Sequence, residues 1–370
     1  MSETDGRVSR LTIDLAAIQR NYRRLQAEAG PATECAAVVK ADAYGLGAGP
    51  VAQALADAGA RRFFVAQVEE GLKLRPLLPK AEIFVLNGLQ AGLEAHFHSE
   101  FLIPVLNSLG EIALWTAHAR SVGRALPAAV HLDTGMSRLG LPRGEVETLI
   151  AEPQRLDGLH LELLVSHLAC SDDPEHEANL RQLRLFAEWR GKLPAAPASF
   201  ANSCGIFLGP QYRFDLARPG AALYGISPLR NRSNPMEQVF AAEAKILQVR
   251  DVDRGTTVGY GATHRIESPA ARLATVALGY ADGYLRSLSG RGLAYVGGTL
   301  VRVVGRVSMD LIAIDVTDVP PEAAHPAAWV ELIGPHLPVD DVAERAGTIG
   351  YEILTSLGRR YSRHYVTAHD

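Results

Sequence analysis

Residues 36–47 read Ala36-Ala37-Val38-Val39-Lys40-Ala41-Asp42-Ala43-Tyr44-Gly45-Leu46-Gly47. Four consecutive apolar residues, two of them β-branched, predict a strand buried on both faces. That strand ends on a lysine. Of the 37 Lys and Arg residues only five are lysines: Lys40, Lys73, Lys80, Lys192 and Lys245. Burial favours the neutral amine, the form that attacks carbonyls to make Schiff bases. Taken alone, the segment is explained more simply by a lysine whose stem packs while its amine reaches solvent. The glycines and Tyr44 that follow shift the balance, because glycine lets backbone approach a ligand and a tyrosine hydroxyl can reach a phosphate.

Outward from this stretch, apolar runs recur near 35–39, 62–66, 82–86, 101–105, 128–132, 160–166, 197–200 and 213–217. Helical patterns separate most of them, among them Val51–Ala58, Glu111–Arg120, Arg143–Ile150 and Glu175–Trp189. Eight buried strands alternating with helices predict an α/β fold, a (β/α)8 barrel of TIM type. Before the barrel, a short strand at 10–13 leads into Asp14, which caps a helix with Leu15, Ile18, Tyr22 and Leu25 on one face and Gly30 as its stop. The texture changes near Asn231–Pro235. Beyond it, runs at 242–250, 272–279, 292–296, 299–307 and 311–316 alternate apolar and polar, broken by one helical pattern at Val339–Ala346. The expected organisation is therefore a strand at 1–13 placed to pair with the C-terminal domain, a barrel at 14–235 and a mostly-β domain at 236–370.

Composition excludes several classes. The chain has 370 residues, 47% of them hydrophobic and 21% charged, with a net charge of −4. Such a chain is neither disordered nor equipped with a basic face for nucleic acid. No run of 18 apolar residues exists to cross a membrane. The start, MSETDGRVSRLTIDL, has no apolar core of an export signal. Three cysteines (Cys35, Cys170 and Cys204) form neither a disulfide framework nor a zinc spacing, so no metal is expected and a cytoplasmic setting is.

Polar and glycyl residues recur where barrel strands end, which is where barrel enzymes build their sites. They are Asp133-Thr134-Gly135-Met136-Ser137-Arg138-Leu139-Gly140, Ser166-His167, Asn202-Ser203-Cys204-Gly205 and Arg218-Pro219-Gly220-Ala221. The last two loops follow strands seven and eight, a frequent phosphate site. Ser203 and the amides of Gly220 and Ala221 suit that role.

With these residues assembled, the chain resembles the alanine racemases. The likeness runs through AAVVKADAYGLG (36–47), LDTGMSRLG (132–140), SHLACSDD (166–173), FANSCG (200–205), ARPGAALYG (217–225), VGYGATH (258–264), GYADGYLR (279–286), GRVSMD (305–310) and GYEILTSLGRR (350–360). It is collinear over almost the whole chain. The resemblance implies pyridoxal 5'-phosphate held on Lys40 as a Schiff base. Tyr44, Asn202, Ser203, Tyr351 and the amides of Gly220 and Ala221 then bind the cofactor at its phosphate end, Arg218 faces the ring nitrogen, and His167 lies beside the ring. Arg138 and Met309 border the substrate carboxylate and Tyr280 lines the entrance. Racemisation needs an acid/base group on each face of the α-carbon; the resemblance gives Lys40 one face and Tyr260 the other. Free tyrosine titrates near ~10, so a tyrosine base at neutral pH needs cationic help. The resemblance further implies a homodimer whose shared sites take Tyr260 and Met309 from the partner chain.

Two departures stand out. Where the family often carries a carbamylated lysine that steadies the carboxylate-binding arginine, this chain has His131, which leaves an anion or His131 itself for that role. Cys204 stands where a smaller residue is usual and reads as packing. His96 and His98 would share a face on a strand and read as a solvated face, Tyr284 as packing or site, and Asp310 as a turn or hydrogen-bond anchor.

Three other readings compete. A serine or broader amino-acid racemase of the same fold is a close alternative, and the lack of an export signal favours the alanine type over it. A decarboxylase of the same architecture places a carboxylate where Arg218 stands. A non-enzymatic cofactor carrier would lack the domain that bears Tyr260 and Met309. The expected function is interconversion of L- and D-alanine, supplying D-alanine for peptidoglycan or catabolising alanine.

Overall fold

The computed structural model describes residues 7–367, in two compact units. One unit holds Ile18–Leu223 and Ser227–Met236; of the described residues, the other holds 7–17, Tyr224–Ile226 and 237–367. The first strand, β1 (Ser9–Asp14), belongs to the latter.

The first unit is a parallel barrel. Its strands are β2 (Glu34–Cys35), β3 (Ala37–Val38), β4 (Arg62–Val65), β5 (Glu82–Val85), β6 (Leu102–Leu106), β7 (Leu126–His131), β8 (Leu159–Val165), β9 (Ala198–Asn202) and β10 (Leu216–Arg218), in the order β2-β10-β9-β8-β7-β6-β5-β4-β3. The two ends of that order, β2 and β3, are separated only by Ala36. One stretch, 34–38, therefore pairs with β10 on one side and with β4 on the other, and the ring closes at eight positions. The amides follow suit: Ala36 N donates to Ala217 O at 2.9 Å and Val39 N to Phe64 O at 2.9 Å. The expected single strand at 35–39 is thus split, because its amides are shared between two neighbours. Phe63, Phe64, Ile83 and Phe84 are fully buried, adjacent residues facing opposite sides of the sheet, and the register mates Phe64 and Phe84 stack at 4.7 Å. Truncating either ring to alanine costs about 3–5 kcal/mol.

The flanking helices follow the sequence pattern. Leu15–Ala29 is capped by Asp14 Oδ1, which accepts the Ala17 amide at 2.8 Å, and it stops at Gly30 with φ 84°. His96 and His98 differ from expectation. They lie on a helix, Glu94–Ser99, and His98 Nδ1 meets His118 Nε2 at 3.3 Å. Two apart reads as one face only if the segment is extended.

The second unit is mostly antiparallel. Its further strands are β11 (Phe240–Asp253), β12 (Thr257–Val258), β13 (His264–Arg265), β14 (Ala270–Val276), β15 (Leu293–Val296), β16 (Thr299–Val304), β17 (Ile312–Asp315), β18 (Trp329–Ile333) and β19 (Ser362–Val366). The main sheet runs β14-β17-β16-β15-β18-β11-β1-β19, and the far half of β11 returns to pair with β14. The β15–β16 hairpin turns on Gly297 and Gly298, with φ 56° and 79°, the two positive φ values such a turn demands. β1 lies between β11, antiparallel, and β19, parallel, burying Ser9, Leu11 and Ile13 on one face. Sequence reading missed β18 and β19. SRHYV has no apolar alternation, and its backbone pairing with β1 alone makes it a strand. Among the described residues, no helix is long and apolar enough to cross a membrane.

Candidate active site

Lys40 ends the first barrel strand, and the chain then does something no residue type foretold. Ala41, Asp42, Ala43 and Tyr44 have φ of 54°, 55°, 52° and 56°: one left-handed helical turn without a glycine. Each such residue costs roughly 1–2 kcal/mol. Hydrogen bonds hold the turn: Ala43 N to Val39 O and Gly45 N to Ala41 O, at 2.9 and 2.8 Å, with Gly47 N to Asp42 O at 2.8 Å. Asp42 Oδ1 also accepts the Ala48 amide at 2.7 Å. The turn drives Ala43 and Tyr44 inward, where both are buried.

Tyr44 arrives against Gly220. A Cβ on Gly220 would collide with the Tyr44 hydroxyl and lie 3.2 Å from its Cζ, so only glycine fits there. Beside them Ser203 Oγ accepts the amides of Gly220 at 3.0 Å and Ala222 at 3.2 Å. The Gly220 amide is thus spent on Ser203, where the sequence suggested a direct phosphate donor. A hydroxyl oxygen that accepts twice still has its own proton to donate. The Ala221 amide has no partner among the described residues. Burial pushes the Tyr44 hydroxyl up to about 12, so it stays a donor at ordinary pH. Asn202 Oδ1 is occupied as well, accepting from Ser171 Oγ at 2.9 Å and Gly205 N at 2.8 Å. Cys204 is buried and its thiol is pushed up to about 11, which leaves it a packing residue and not a thiolate.

Arg218 ends β10 and is 5% exposed. Its guanidinium donates to Ser199 Oγ at 2.5 Å and Ser166 O at 2.7 Å, and it reaches His167 Nδ1 at 3.4 Å. All three acceptors are neutral, so its charge meets no carboxylate through these bonds. Burial lowers it to about 10, still protonated at neutral pH. His167 is held well below its ordinary range, first by burial, then by Arg218, Arg138 and Lys40. Burial also lowers the Lys40 amine, and Arg138 and Arg218 add to this while Glu70 opposes it. His131 falls to about 4 through burial and Arg218. Its Nδ1 meets Asn107 Oδ1 at 2.8 Å, and the Asn107 amide nitrogen donates to Leu86 O and Val105 O, so His131 Nδ1 carries the proton. Arg138 sits in a loop gathered by Asp133 Oδ1, which accepts the amides of Gly135, Met136 and Ser137 at 3.0, 2.9 and 3.0 Å. The barrel therefore brings Lys40, Arg138, His131, His167 and Arg218 within electrostatic reach of one another.

The β unit displays the remaining candidates at its surface. Tyr260 opens a short turn, Tyr260–Ala262, and is 72% exposed; Tyr280, Met309 and Tyr351 are exposed too. Tyr280 and Met309 sit on adjoining loops, with Tyr280 N donating to Ser308 O and Ala281 N to Met309 O, both at 3.0 Å. Asp282, which sequence reading passed over, organises them. It accepts the Gly279 amide at 2.9 Å and Arg360 through Nε and Nη2 at 2.7 Å each, while Arg360 Nη1 reaches Asp310 at 2.6 Å. Asp310 is thus an ion-pair partner as well as a turn residue. The aspartate's place inside GYADG and the arginine pair closing GYEILTSLGRR were the available signals. Tyr284 is buried, its hydroxyl pushed up by that burial, and it packs.

The donor set fits a phosphorylated aldehyde. Tyr44, Ser203 and Ala221 offer hydroxyl and amide donors to an anion, while Lys40 offers an amine that burial shifts toward its neutral form. Fold and site together define a closed (β/α)8 barrel protein with a strand-end lysine in a cationic pocket and an added β domain. The alanine racemase N-terminal domain description matches residues 13–228 and the C-terminal one residues 239–365, and the chain belongs to the alanine racemase family. It is 49% identical to an alanine racemase of Rhodospirillum rubrum over 99% of this chain and 98% of that one. It is 50% identical to a catabolic alanine racemase of Agrobacterium fabrum over 98% and 93%. The solved alanine racemase of Bartonella henselae, with covalently bound pyridoxal phosphate, superposes with a TM-score of 0.93 at 44% identity, over 97% of this chain and 99% of that one.

Proposed function

We propose that this chain interconverts L- and D-alanine with pyridoxal 5'-phosphate held on Lys40. The observation that carries the reading is a lysine at a strand end, its amine shifted toward the neutral form by burial, beside a buried arginine whose described hydrogen bonds go to neutral acceptors. When bound, the cofactor draws electrons from the substrate's α-carbon and makes its proton removable. Tyr44, Ser203 and the Ala221 amide hold the phosphate; Gly220 shapes the floor, and Asn202 and Tyr351 complete the surround. Arg218, which keeps its proton at neutral pH, would face the cofactor's ring nitrogen as a donor only; that would leave the nitrogen largely unprotonated and would favour return of the substrate proton over loss of the amino group. His167 packs beside the ring as a neutral group. Arg138 takes the substrate carboxylate, with neutral His131 behind it and Met309 at its border. Lys40 exchanges the proton on one face and Tyr260 on the other; Tyr280 guards the entrance.

In this reading the chain works as a homodimer in the cytoplasm, each β unit lending Tyr260 and Met309 to the partner's barrel. The exposure of Tyr260, Met309, Tyr280, Ile349 and Tyr351 on one unit supports a partner surface, and the three free cysteines suit a reducing compartment. The names of the relatives support alanine as substrate. The test is a coupled assay of both directions of alanine interconversion, with serine and lysine as competitors. Conversion of alanine in both directions supports the reading; conversion of serine or lysine in preference to alanine overturns it.

A further inference from the structure

We propose that Glu70 is a positioning residue for the Lys40 amine: its carboxylate ties the first residue of the left-handed turn to the next barrel loop and sets a negative charge among the cations that face the amine. The inference rests on the reading of Lys40 as the cofactor-bearing residue.

Glu70 lies in the first turn of the helix Val68–Leu74, which follows β4. Its Oε2 accepts the amides of Ala66 at 2.7 Å and Gln67 at 3.1 Å, capping its own helix. Its Oε1 crosses to the neighbouring loop and accepts the Ala41 amide at 2.6 Å. That amide belongs to the peptide plane joining Lys40 to Ala41. Fixing it fixes the rotation about the Lys40 Cα–C bond, where the chain enters the left-handed turn. Both oxygens face N–H donors, so only a carboxylate satisfies the two sides at once; a glutamine must turn its NH2 toward one of them.

Carboxylates reach a preceding loop twice more around this end of the barrel. Glu111, on the helix Leu109–Val122, accepts the Leu89 amide at 3.2 Å and the Asn107 amide at 3.0 Å. Glu145, on the helix Arg143–Ala151, accepts the Leu109 amide at 2.9 Å. Each carboxylate reaches the preceding loop, Glu70 and Glu111 holding their own loop as well, and of the three Glu70 is the one whose bond ends beside Lys40. The groups acting on the amine are Arg138 from the loop after β7, Arg218 from the end of β10 and Glu70 itself; the amine in turn acts on His167, after β8. Arg138 and Arg218 disfavour its protonation and Glu70 favours it.

The test uses Glu70→Gln and Glu70→Asp in the full chain, with three readouts. Deuterium exchange at the Ala41 amide rises about tenfold or more in both variants, since Gln turns an NH2 toward an amide and Asp falls short of it. The pH midpoint for acylation of the Lys40 amine, read by mass spectrometry, moves down in Glu70→Gln and stays at the wild-type value in Glu70→Asp, which keeps the charge. In the cofactor-loaded enzyme, kcat falls about 10- to 100-fold in Glu70→Gln while KM for alanine holds. Ala41 exchange at the wild-type rate together with an unmoved acylation midpoint overturns the proposal. Should Glu70→Gln fail to fold, Glu70→Asp decides through exchange: a rise sustains the tie and a wild-type rate refutes it. Exchange and acylation are read without cofactor, so a chain that racemises nothing sinks the proposed function and leaves these two results standing.

Discussion

The hydroxyl of Tyr44 fills the space that a side chain on Gly220 would need, bringing the left-handed turn after the first barrel strand against the loop after the last. Those two loops flank the seam where residues 34–38 close the ring, so barrel closure and the anion cradle are one piece of geometry. Gly220→Ala forces the ring away from the loop. The expected result is a rise in the dissociation constant for pyridoxal phosphate, with stability lower by about 1–3 kcal/mol, as overpacking a filled site costs. Spectrophotometric titration and thermal melts check both. Wild-type affinity in the variant removes Tyr44 and Gly220 from the phosphate site.

Acid should weaken this fold in a defined window. His131 titrates at about 4 in the folded chain, against about 6.5 for a free histidine. Its folded value is depressed, so the unfolded chain binds the proton first. Stability from keeping it neutral is present above pH ~6.5 and is lost progressively as pH falls toward ~4. His167, also held well below its ordinary range, acts in the same direction. Melting temperature measured from pH 7.5 to 4 should fall, and less steeply in His131→Gln, whose side chain does not titrate. Equal slopes for the two proteins would show that His131 carries none of the loss.

Tyr260→Ala separates cofactor binding from proton transfer. The residue is widely exposed on its own unit, so folding does not depend on its ring. The expected outcome is a loss of racemisation of about 100-fold or more, the scale of general acid–base catalysis, with the cofactor spectrum intact. Tyr260→Phe should resemble the alanine variant, because the phenol proton and not the ring is needed. Full turnover in Tyr260→Phe would dismiss the phenol as an acid/base group.

Much of this fold was legible in the sequence. Runs such as Arg62–Val65 and Leu102–Leu106 are short, apolar and bounded by turns, which is how a strand buried on both faces reads. The break between the runs at 292–296 and 299–307 falls on Gly297-Gly298, and the structure turns its hairpin there on two positive φ values. The left-handed turn at 41–44 was invisible because alanine does not favour it; burial of Tyr44 and backbone bonds impose it. β19 was invisible because an edge strand needs a partner's backbone more than a pattern of its own. In the site, motifs supplied residue identities but not their pairings. That Gly220 gives its amide to Ser203, or that Asp282 gathers Arg360, depends on side chains meeting from distant segments.

The central claim is that Lys40 alone among five lysines carries pyridoxal phosphate. Borohydride reduction of the cofactor-loaded chain, followed by digestion and peptide mass spectrometry, tests it directly. The account predicts a phosphopyridoxyl group on the peptide bearing Lys40, unmodified Lys73, Lys80, Lys192 and Lys245, and neither adduct nor racemisation in Lys40→Ala. An adduct on another lysine, or alanine racemised by the Lys40→Ala chain, would contradict it.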